Sequence, residues 1–435
     1  MRNRFLKLLL PAAGLLAAIP ALAAAQANKA APATAPSPAG PVAGWDEMVD
    51  NLRTLPARML AKLPEDQRND PQVQQEVGRL ALEALASTAL DVLGADQDHP
   101  VFVSQLGQVL NVGQPNADTV YRIARVAGDG TYRLRGRRGT LRMFNVSEAP
   151  PTPGDPDFKP GVVSPRPVHD FNTLKVDGEG RFDVILSSER PAGHQGDWWK
   201  LEPTTNKLLM RMVSADWDKE EDPTVSIERL DKPVTRPRPP AAEIEAGLRR
   251  LPGLTNFIAL LFVDHVEQLR RDGYINKLKV LDVSQMGGLA GQFYYEGAYD
   301  LTDDEALIVE TTVPAKCDYR SLILTNGIYE TTDWYNNHSS LNDAQSQPDK
   351  DGVLRIVISA KDPRAPNWLD TAGYAQGLLQ GRWMNCDTQP IPSLKKVAFA
   401  DVRKHLPPET PTLTAKERED ATRARRATLQ QRPLW

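Results

Sequence analysis

Residues 177–191, DGEGRFDVILSSERP, align without gaps with residues 349–363, DKDGVLRIVISAKDP. Each stretch opens on an Asp/Gly turn and continues into β-branched and alternating apolar residues, which is the pattern of a β-strand. Further along the chain, a Trp and a pair of Leu residues follow in the same order, at Trp198 and 208–209 in one copy and at Trp368 and 378–379 in the other. This ordered match predicts two copies of one β unit.

Short runs typical of strands fill two blocks, at about 118–230 and 281–405, and each block contains one copy of the repeat. A looser upstream match, between TYRLRG (131–136) and DYRSLIL (318–324), extends the predicted repeat. We therefore expect a mainly β, α+β fold that contains two related β-sandwich units.

Apolar residues at helical spacing predict helices within 45–95 and 241–273, and the charged stretch 414–431 predicts a C-terminal helix. The middle helical segment would join the two β units, and the N-terminal helices would pack beside them. The predicted division of the chain is a signal peptide at 1–27, an Ala/Pro-rich linker at 28–44, N-terminal helices at 45–97, a first β unit at 98–237, a helical connector at 238–280, a second β unit at 281–405 and a charged helical tail at 406–435.

The N-terminus predicts export to the periplasm or the medium. Arg2, Arg4 and Lys7 precede a short apolar run at 8–19, and small-residue cleavage patterns follow within 21–27. The apolar run is too short to span a bilayer, and we predict no transmembrane segment elsewhere. A formal net charge of −4 is small for this length, and it gives no reason to expect nucleic acid as a partner.

The chain has two cysteines, Cys317 and Cys386. In an oxidising compartment such a pair suggests one disulfide, although two separate buried thiols are an equally open interpretation. The nucleotide-binding, zinc-protease and serine-hydrolase motifs are absent from the sequence, and acidic clusters such as DWDKEED (216–222) are typical of solvated turns. We therefore predict neither a cofactor nor a metal site.

The stretch WYNNHSSLN (334–342) combines aromatic rings, amides, an imidazole and hydroxyls. One copy of the repeat carries it, whereas RPVHDFNTLKV (166–176) occupies the corresponding place in the other copy. Aromatic faces with directional hydrogen-bonding groups suit sugars and other polar ligands. A polar loop that satisfies backbone groups between two strands is the alternative interpretation.

Candidate site residues follow from this stretch and from the segment around 116–122. Asp333 and His338 could form an acid–base pair, with Asp118 as a further carboxylate. The candidate ligand-binding residues are Asn116, Tyr121, Arg122, Trp334, Tyr335, Asn336, Asn337 and Asn342.

Several motifs make the chain similar to a bacterial family, Domain of Unknown Function 1214. They are QPNADTVYRIARV (114–126), GDWWKL (196–201), SADWDKEEDPTVSIERL (214–230), YRSLILTNGIYETTDWYNNHSSLN (319–342) and DPRAPNWLDTAGYAQGLLQGRW (362–383). The resemblance covers about 98–405. It implies jelly-roll-like β-sandwich units and an often exported protein, and it implies no established reaction.

The leading functional hypothesis is an exported protein that binds a polar small molecule or glycan, such as a carbohydrate or an envelope polymer, on the second β unit. One alternative is a periplasmic hydrolase or lyase that uses the Asp333 and His338 pair. Another is a structural or assembly component of the cell envelope. The sequence does not determine the oligomeric state.

Overall fold

The computed structural model describes residues 40–149, 151–155, 158–159, 166–281 and 291–433. The predicted signal peptide and most of the predicted linker lie outside these residues. All elements described below belong to the unit formed by Pro41–Trp435.

The first sandwich has two sheets, with the strand orders β1-β7-β3-β4 and β6-β5-β2-β8. Its strands are β1 (Thr119–Arg125), β2 (Tyr132–Arg137), β3 (Met143–Glu148), β4 (Val168–Asp170), β5 (Arg181–Ser187), β6 (Asp197–Lys200), β7 (Lys207–Val213) and β8 (Thr224–Arg229). Side chains alternate along each strand. In β7, for example, Leu208, Met210 and Met212 enter the apolar core between the sheets.

The second sandwich repeats this arrangement, with the orders β13-β12-β16-β10-β9 and β15-β14-β11-β17. Its strands are β9 (Lys279–Leu281), β10 (Gln292–Asp300), β11 (Glu305–Thr312), β12 (Tyr319–Thr325), β13 (Ser340–Asn342), β14 (Val353–Ser359), β15 (Trp368–Asp370), β16 (Gln376–Met384) and β17 (Ser393–Ala398). The sequence prediction of two related β-sandwich units is therefore confirmed.

The repeat extends to single hydrogen bonds. Trp198 in β6 donates from its indole nitrogen to the hydroxyl of Ser187, and Trp368 in β15 donates in the same way to the hydroxyl of Ser359. Strand order corrects the looser upstream match, because β2 occupies the place of β11 and β3 occupies the place of β12. The resemblance of TYRLRG to DYRSLIL is therefore not part of the structural repeat.

Six α-helices are described: α1 (Trp45–Leu60), α2 (Glu65–Arg68), α3 (Pro71–Leu93), α4 (Ala241–Leu261), α5 (His265–Arg271) and α6 (Ala415–Gln431). Asp70 caps α3 by accepting the backbone N–H of Gln72, and Thr414 starts α6 with a capping box. Helices α1, α3 and α4 pack together through a shared apolar cluster. Among the described residues, no helix combines the length and apolar character that a membrane span requires.

An apolar contact joins the two sandwiches. Met143 and Val213, which are paired across β3 and β7, lie in one cluster with Tyr319 and Met384, which are paired across β12 and β16. Equivalent strands of the two copies therefore meet at this contact. It holds the sheet that contains β1 and β7 beside the sheet that contains β10 and β16.

Cys317 and Cys386 lie at disulfide distance, with 4.0 Å between their Cα atoms and a sequence separation of 69 positions. They flank β12 and β16, which are neighbouring strands of one sheet. The predicted pairing is therefore compatible with the fold of the second sandwich.

Candidate functional site

The predicted loop 334–342 is covered by the C-terminal helix. Trp334 and Tyr335 are buried, and both pack against Leu429 of α6. Arg425 of α6 donates from Nε to the carbonyl oxygen of Trp334 at 2.6 Å. The aromatic rings of this loop therefore serve as packing for a helix and do not form an open platform.

A small pocket remains beside these rings. It measures about 60 Å³ and is bordered by Tyr121, Trp334 and Tyr335. Sites for small molecules usually measure about 300–1,000 Å³. This pocket is too small for a sugar ring.

The environment of His338 keeps its imidazole neutral. Its Nδ1 lies 2.7 Å from the carbonyl oxygen of Trp368, and its ring lies parallel to the indole of that residue. Burial lowers the pKa of His338 to about 3, and the positive charges of Arg425 and Arg418 contribute in the same direction. A general base for work near neutral pH needs a much higher pKa.

Asp333 caps a turn and does not pair with His338. Its carboxylate accepts the side-chain N–H of Gln108 at 2.7 Å and the backbone N–H groups of Tyr335 at 2.9 Å and Asn336 at 3.2 Å. The predicted Asp333–His338 acid–base pair is therefore wrong. The Asp333 carboxylate instead caps nearby backbone N–H groups.

Asp118 lies at a different place, in a buried cluster between the sandwiches. It accepts hydrogen bonds from Trp217 Nε1 at 2.9 Å, from Asn342 Nδ2 at 2.8 Å and from the Tyr319 hydroxyl at 2.5 Å. Asn116 donates to the same Tyr319 hydroxyl at 2.9 Å. We call the residues Asn116, Asp118, Trp217, Tyr319 and Asn342 the inter-sandwich joint.

Burial raises the pKa of Asp118, whereas hydrogen bonds from Tyr319 and Asn342 and the charges of Arg425 and Arg432 oppose that rise. The joint connects the first sandwich to the second, because Asp118 precedes β1 and Asn342 ends β13. Both residues were predicted as members of one site, and they are hydrogen-bonded to each other at 2.8 Å. Their arrangement is that of a structural contact between domains.

Three other residues were predicted to bind a ligand: Asn336, Asn337 and Arg122. Asn336 is exposed and donates to the Asp333 carboxylate at 2.6 Å, and Asn337 donates to the Asp333 carbonyl oxygen at 3.2 Å. Arg122 is half-buried, and burial lowers its pKa while the charge of Asp222 opposes this effect. Of the predicted ligand-binding residues, Tyr121 has the clearest connection to a larger space.

A cavity of about 520 Å³ lies between the two sandwiches and the helices α3 and α4. It is bordered by β1 and β7 of the first sandwich and by β10 and β16 of the second. Its apolar lining includes Leu254, Phe257, Ile258 and Leu261 of α4. Its polar wall includes Gln105, Gln114, Tyr121, Lys207, Arg211, His265, Tyr294, Tyr329, Gln380 and Arg382.

Each sandwich contributes one Tyr/Arg pair to this cavity. Tyr121 lies directly across from Arg211 in the β1/β7 ladder, and Tyr294 lies directly across from Arg382 in the β10/β16 ladder. The guanidinium of Arg382 stacks over the ring of Tyr294 at 4.9 Å from its centroid. The strands that carry these pairs are equivalent in the two copies, so the repeat generates a quasi-symmetric cationic site.

These two arginines have no carboxylate partner among the described residues within the 4.0 Å of an ion pair. Arg211 donates to the hydroxyl of Ser147, and Arg382 donates to the side-chain oxygen of Gln380 at 3.2 Å. Burial lowers the pKa of Arg211. Burial also acts to lower the pKa of Arg382, but the phenols of Tyr294, Tyr319 and Tyr121 and the charge of Asp118 raise it overall.

Side-chain nitrogens without a hydrogen-bond partner line the same cavity. In the described part of the chain, Arg382 Nε and the side-chain nitrogens of Gln105 and Gln114 are buried without a hydrogen-bond partner. All three residues border the cavity. Buried donors of this kind usually find a partner, so they point to an acceptor that enters the cavity.

The lining of this cavity does not suit a metal ion. Guanidinium and amide N–H groups donate hydrogen bonds and do not ligate cations. Within the residues that the structure describes, no group of three or more His, Cys, Asp or Glu side chains is arranged to hold a metal.

Residues 302–378 match the family model described as a protein of unknown function, DUF1214. The resemblance inferred from the sequence is confirmed by this match. The segment matched by DUF1214 includes the joint residues Tyr319 and Asn342 and ends just before Arg382.

One solved structure supports the fold, and a second is less similar. An uncharacterized protein from Burkholderia cenocepacia is 27% identical, with a TM-score of 0.74 over 82% of this chain and 97% of that chain. The VPA0106 protein from Vibrio parahaemolyticus is 12% identical, with a TM-score of 0.43 over 74% of this chain and 99% of that one. No curated protein matches the chain.

Four residues of this cavity were not selected as site residues from the sequence: Arg211, Arg382, Tyr294 and Lys207. A signal was present, because the aligned repeats that begin near Trp198 and Trp368 end on Arg211 and Arg382. The site prediction gave weight to a stretch found in one copy only, whereas the cavity is built from features that both copies share. A charged residue on the outward face of a strand also looks the same in sequence whether that face meets solvent or another domain.

Proposed function

We propose that the protein binds a small amphipathic anion in the cavity between its sandwiches. The observation that carries this proposal is the pair Arg211 and Arg382, which are cationic, border one cavity and lack a carboxylate within ion-pair distance among the described residues. A buried charge without compensation costs several kcal/mol. A bound anion would supply that compensation.

The remaining lining supports an apolar body behind the anionic group. Leu254, Phe257 and Ile258 of α4 line the same cavity as the two arginines. The volume of about 520 Å³ falls within the range typical of small-molecule sites. The phenols of Tyr121 and Tyr294 add donors that suit a carboxylate, sulfate or phosphate.

This proposal differs from the carbohydrate or envelope polymer that the sequence suggested. A neutral sugar would leave both guanidinium charges uncompensated, and the loop assigned to it is packed under α6. The hydrolase or lyase alternative loses the acid–base pair on which it rested. A role in envelope assembly stays a prediction, as does export.

The test is calorimetric titration of the mature chain with a straight-chain monocarboxylate and with the alcohol of the same length. We expect the carboxylate to bind and the alcohol to bind at least about tenfold more weakly, because a buried hydrogen-bonded charge pair contributes a few kcal/mol to binding. Arg382→Gln should weaken carboxylate binding by about tenfold or more.

The matched control is Arg423→Gln. Arg423 is exposed on α6 and pairs with Glu419, away from the cavity lining. Its substitution should leave binding unchanged. Equal binding of acid and alcohol, or equal loss in both variants, would contradict the proposal.

A further inference from the structure

The cavity has a second cationic end. In β7, Lys207, Leu209 and Arg211 alternate with core residues and all border the cavity. Lys207 and Arg211 are four positions apart along the strand, which corresponds to about 13 Å between their backbone positions. The residue between them on the same face, Leu209, is apolar.

The facing strand has the same order. Across the β1/β7 ladder, Arg125 lies opposite Lys207 and Ile123 lies opposite Leu209. The sheet therefore presents a polar rung, an apolar rung and, with Tyr121 and Arg211, a second polar rung. The side chains of the middle rung line the cavity together with the apolar residues of α4.

Lys207 belongs to a cluster with more positive than negative groups. Its Nζ lies 3.3 Å from the Thr152 hydroxyl and 3.8 Å from the Asp91 carboxylate. Asp91 is already held by Arg125, whose Nε donates to it at 2.7 Å. The cluster is thus more than an isolated Lys/Asp pair.

A second carboxylate, Asp155, completes the cluster. It receives Arg125 at 3.0 Å and Arg250 at 3.0 Å. Three cationic residues, Lys207, Arg125 and Arg250, therefore share two carboxylates. Burial lowers the pKa of Lys207 to about 8, so its amine remains mainly protonated at neutral pH and the cluster keeps an excess positive charge.

Other charged groups near the cavity are already paired. Glu296 lies on the cavity-side face of β10, two residues from Tyr294, and it is hydrogen-bonded to His265 Nε2 at 3.0 Å. The excess positive charge therefore lies near Lys207 and near Arg211, at the two ends of the cavity-facing side of β7. The apolar pair Ile123 and Leu209 lies between them.

We infer that the cavity selects an elongated molecule with an anionic group at each end and an apolar middle, of which a linear α,ω-dicarboxylate is the simplest example. One carboxylate would meet Arg211 and Arg382, and the other would meet Lys207 and Thr152. Leu209, Ile123 and the α4 wall would contact the chain between them. This inference rests on the proposed anion-binding function and specifies its ligand class.

Its test is a length series on the unmodified mature chain. Linear dicarboxylates of increasing length are titrated beside the monocarboxylates of equal length. We expect an optimum length at which the dicarboxylate binds at least about tenfold more tightly than its monocarboxylate, because the second carboxylate gains a buried cationic partner. Shorter dicarboxylates should lose this advantage because they cannot reach both ends.

Lys207→Met tests the assigned end, and Lys219→Met, at an exposed lysine that pairs with Asp216, is the matched control. Lys207→Met should bring the two ligands to equal affinity, whereas Lys219→Met should preserve the difference. Circular dichroism and the melting temperature check folding, and the length series remains decisive if the Lys207 variant does not fold.

The outcomes separate the two proposals. Monocarboxylate binding that depends on Arg382, without any advantage for dicarboxylates at any length, overturns the two-ended ligand and leaves the anion-binding function standing. Binding of neither ligand overturns both. A dicarboxylate advantage that persists in folded Lys207→Met overturns the assignment of the second end.

Discussion

The inter-sandwich joint and the cavity both bury charged groups between the same two sandwiches, and they differ in how those charges are compensated. In the joint, Asp118 accepts hydrogen bonds from three side chains. In the cavity, Arg211 and Arg382 have no carboxylate at ion-pair distance among the described residues. A compensated buried charge stabilises a domain contact, whereas an uncompensated one is expected where a ligand binds.

The largest effect on the free energy of unfolding is expected at the inter-sandwich joint. Asp118→Ala should lower the free energy of unfolding by about 3–5 kcal/mol, because it leaves the buried donors of Trp217, Tyr319 and Asn342 without an acceptor. Urea unfolding at neutral pH measures the change.

The control for this prediction is Asp401→Ala, which removes an exposed carboxylate that pairs with Lys404. It should change the stability by less than about 1 kcal/mol. A similarly small loss at Asp118 would show that the joint does not hold the sandwiches together.

A smaller effect is expected from pH at His338, which packs against Trp368. The pKa of His338 is lowered from 6.5 to about 3 on folding, so between these values the unfolded chain binds a proton that the folded chain excludes. Stability from this residue is therefore fully present above pH 6.5 and is lost as the pH falls towards 3.

The measurement compares wild type with His338→Asn in urea at pH 7 and pH 4. Asn retains an N–H that can reach the Trp368 carbonyl oxygen, and it does not titrate. Wild type should lose about 3 kcal/mol more than the variant over this interval. Subtraction removes contributions of opposite sign, such as that of Asp118, whose pKa is raised. Parallel losses in both chains would contradict a buried neutral imidazole.

The smallest effect on stability is expected in the cavity. Without ligand, Arg211→Met or Arg382→Met should lower the free energy of unfolding by no more than about 1 kcal/mol, and an increase is equally consistent, because each removes a buried charge that has no carboxylate partner among the described residues. Urea unfolding of the ligand-free proteins measures this.

The contrast with Asp118→Ala is the informative result. A loss of about 3 kcal/mol or more at either arginine would mean that the chain itself compensates the charge, and the joint and the cavity would then be equivalent. Unchanged stability together with lost carboxylate binding would show that the charges of Arg211 and Arg382 serve binding, whereas the charge of Asp118 serves stability.

Much of the fold could be predicted from the sequence because strand periodicity and the internal repeat are local properties. The alignment of 177–191 with 349–363 fell on β5 and β14, which hold the same place in their sheets. The error in matching TYRLRG with DYRSLIL arose because alternating strands resemble one another whatever their position in a sheet.

The site was predicted less well, and for a physical reason. His338, Trp334 and Tyr335 have the composition of a binding loop, but composition does not show that α6, about ninety residues further along, covers them. Asp118 and Asn342 are in contact, but their hydrogen bond joins the two sandwiches and does not line the cavity. Tyr121 was selected without the arginine that lies across from it.

The sequence by itself determined the two β units, the helices around them and the alternation that places Lys207, Leu209 and Arg211 on one face of a strand. Only the tertiary structure decided what that face meets. Outward-facing charges are ordinary when water solvates them, and they become a binding site when a second sandwich and a helix exclude most of that water. That exclusion depends on packing between distant segments, which no local pattern encodes.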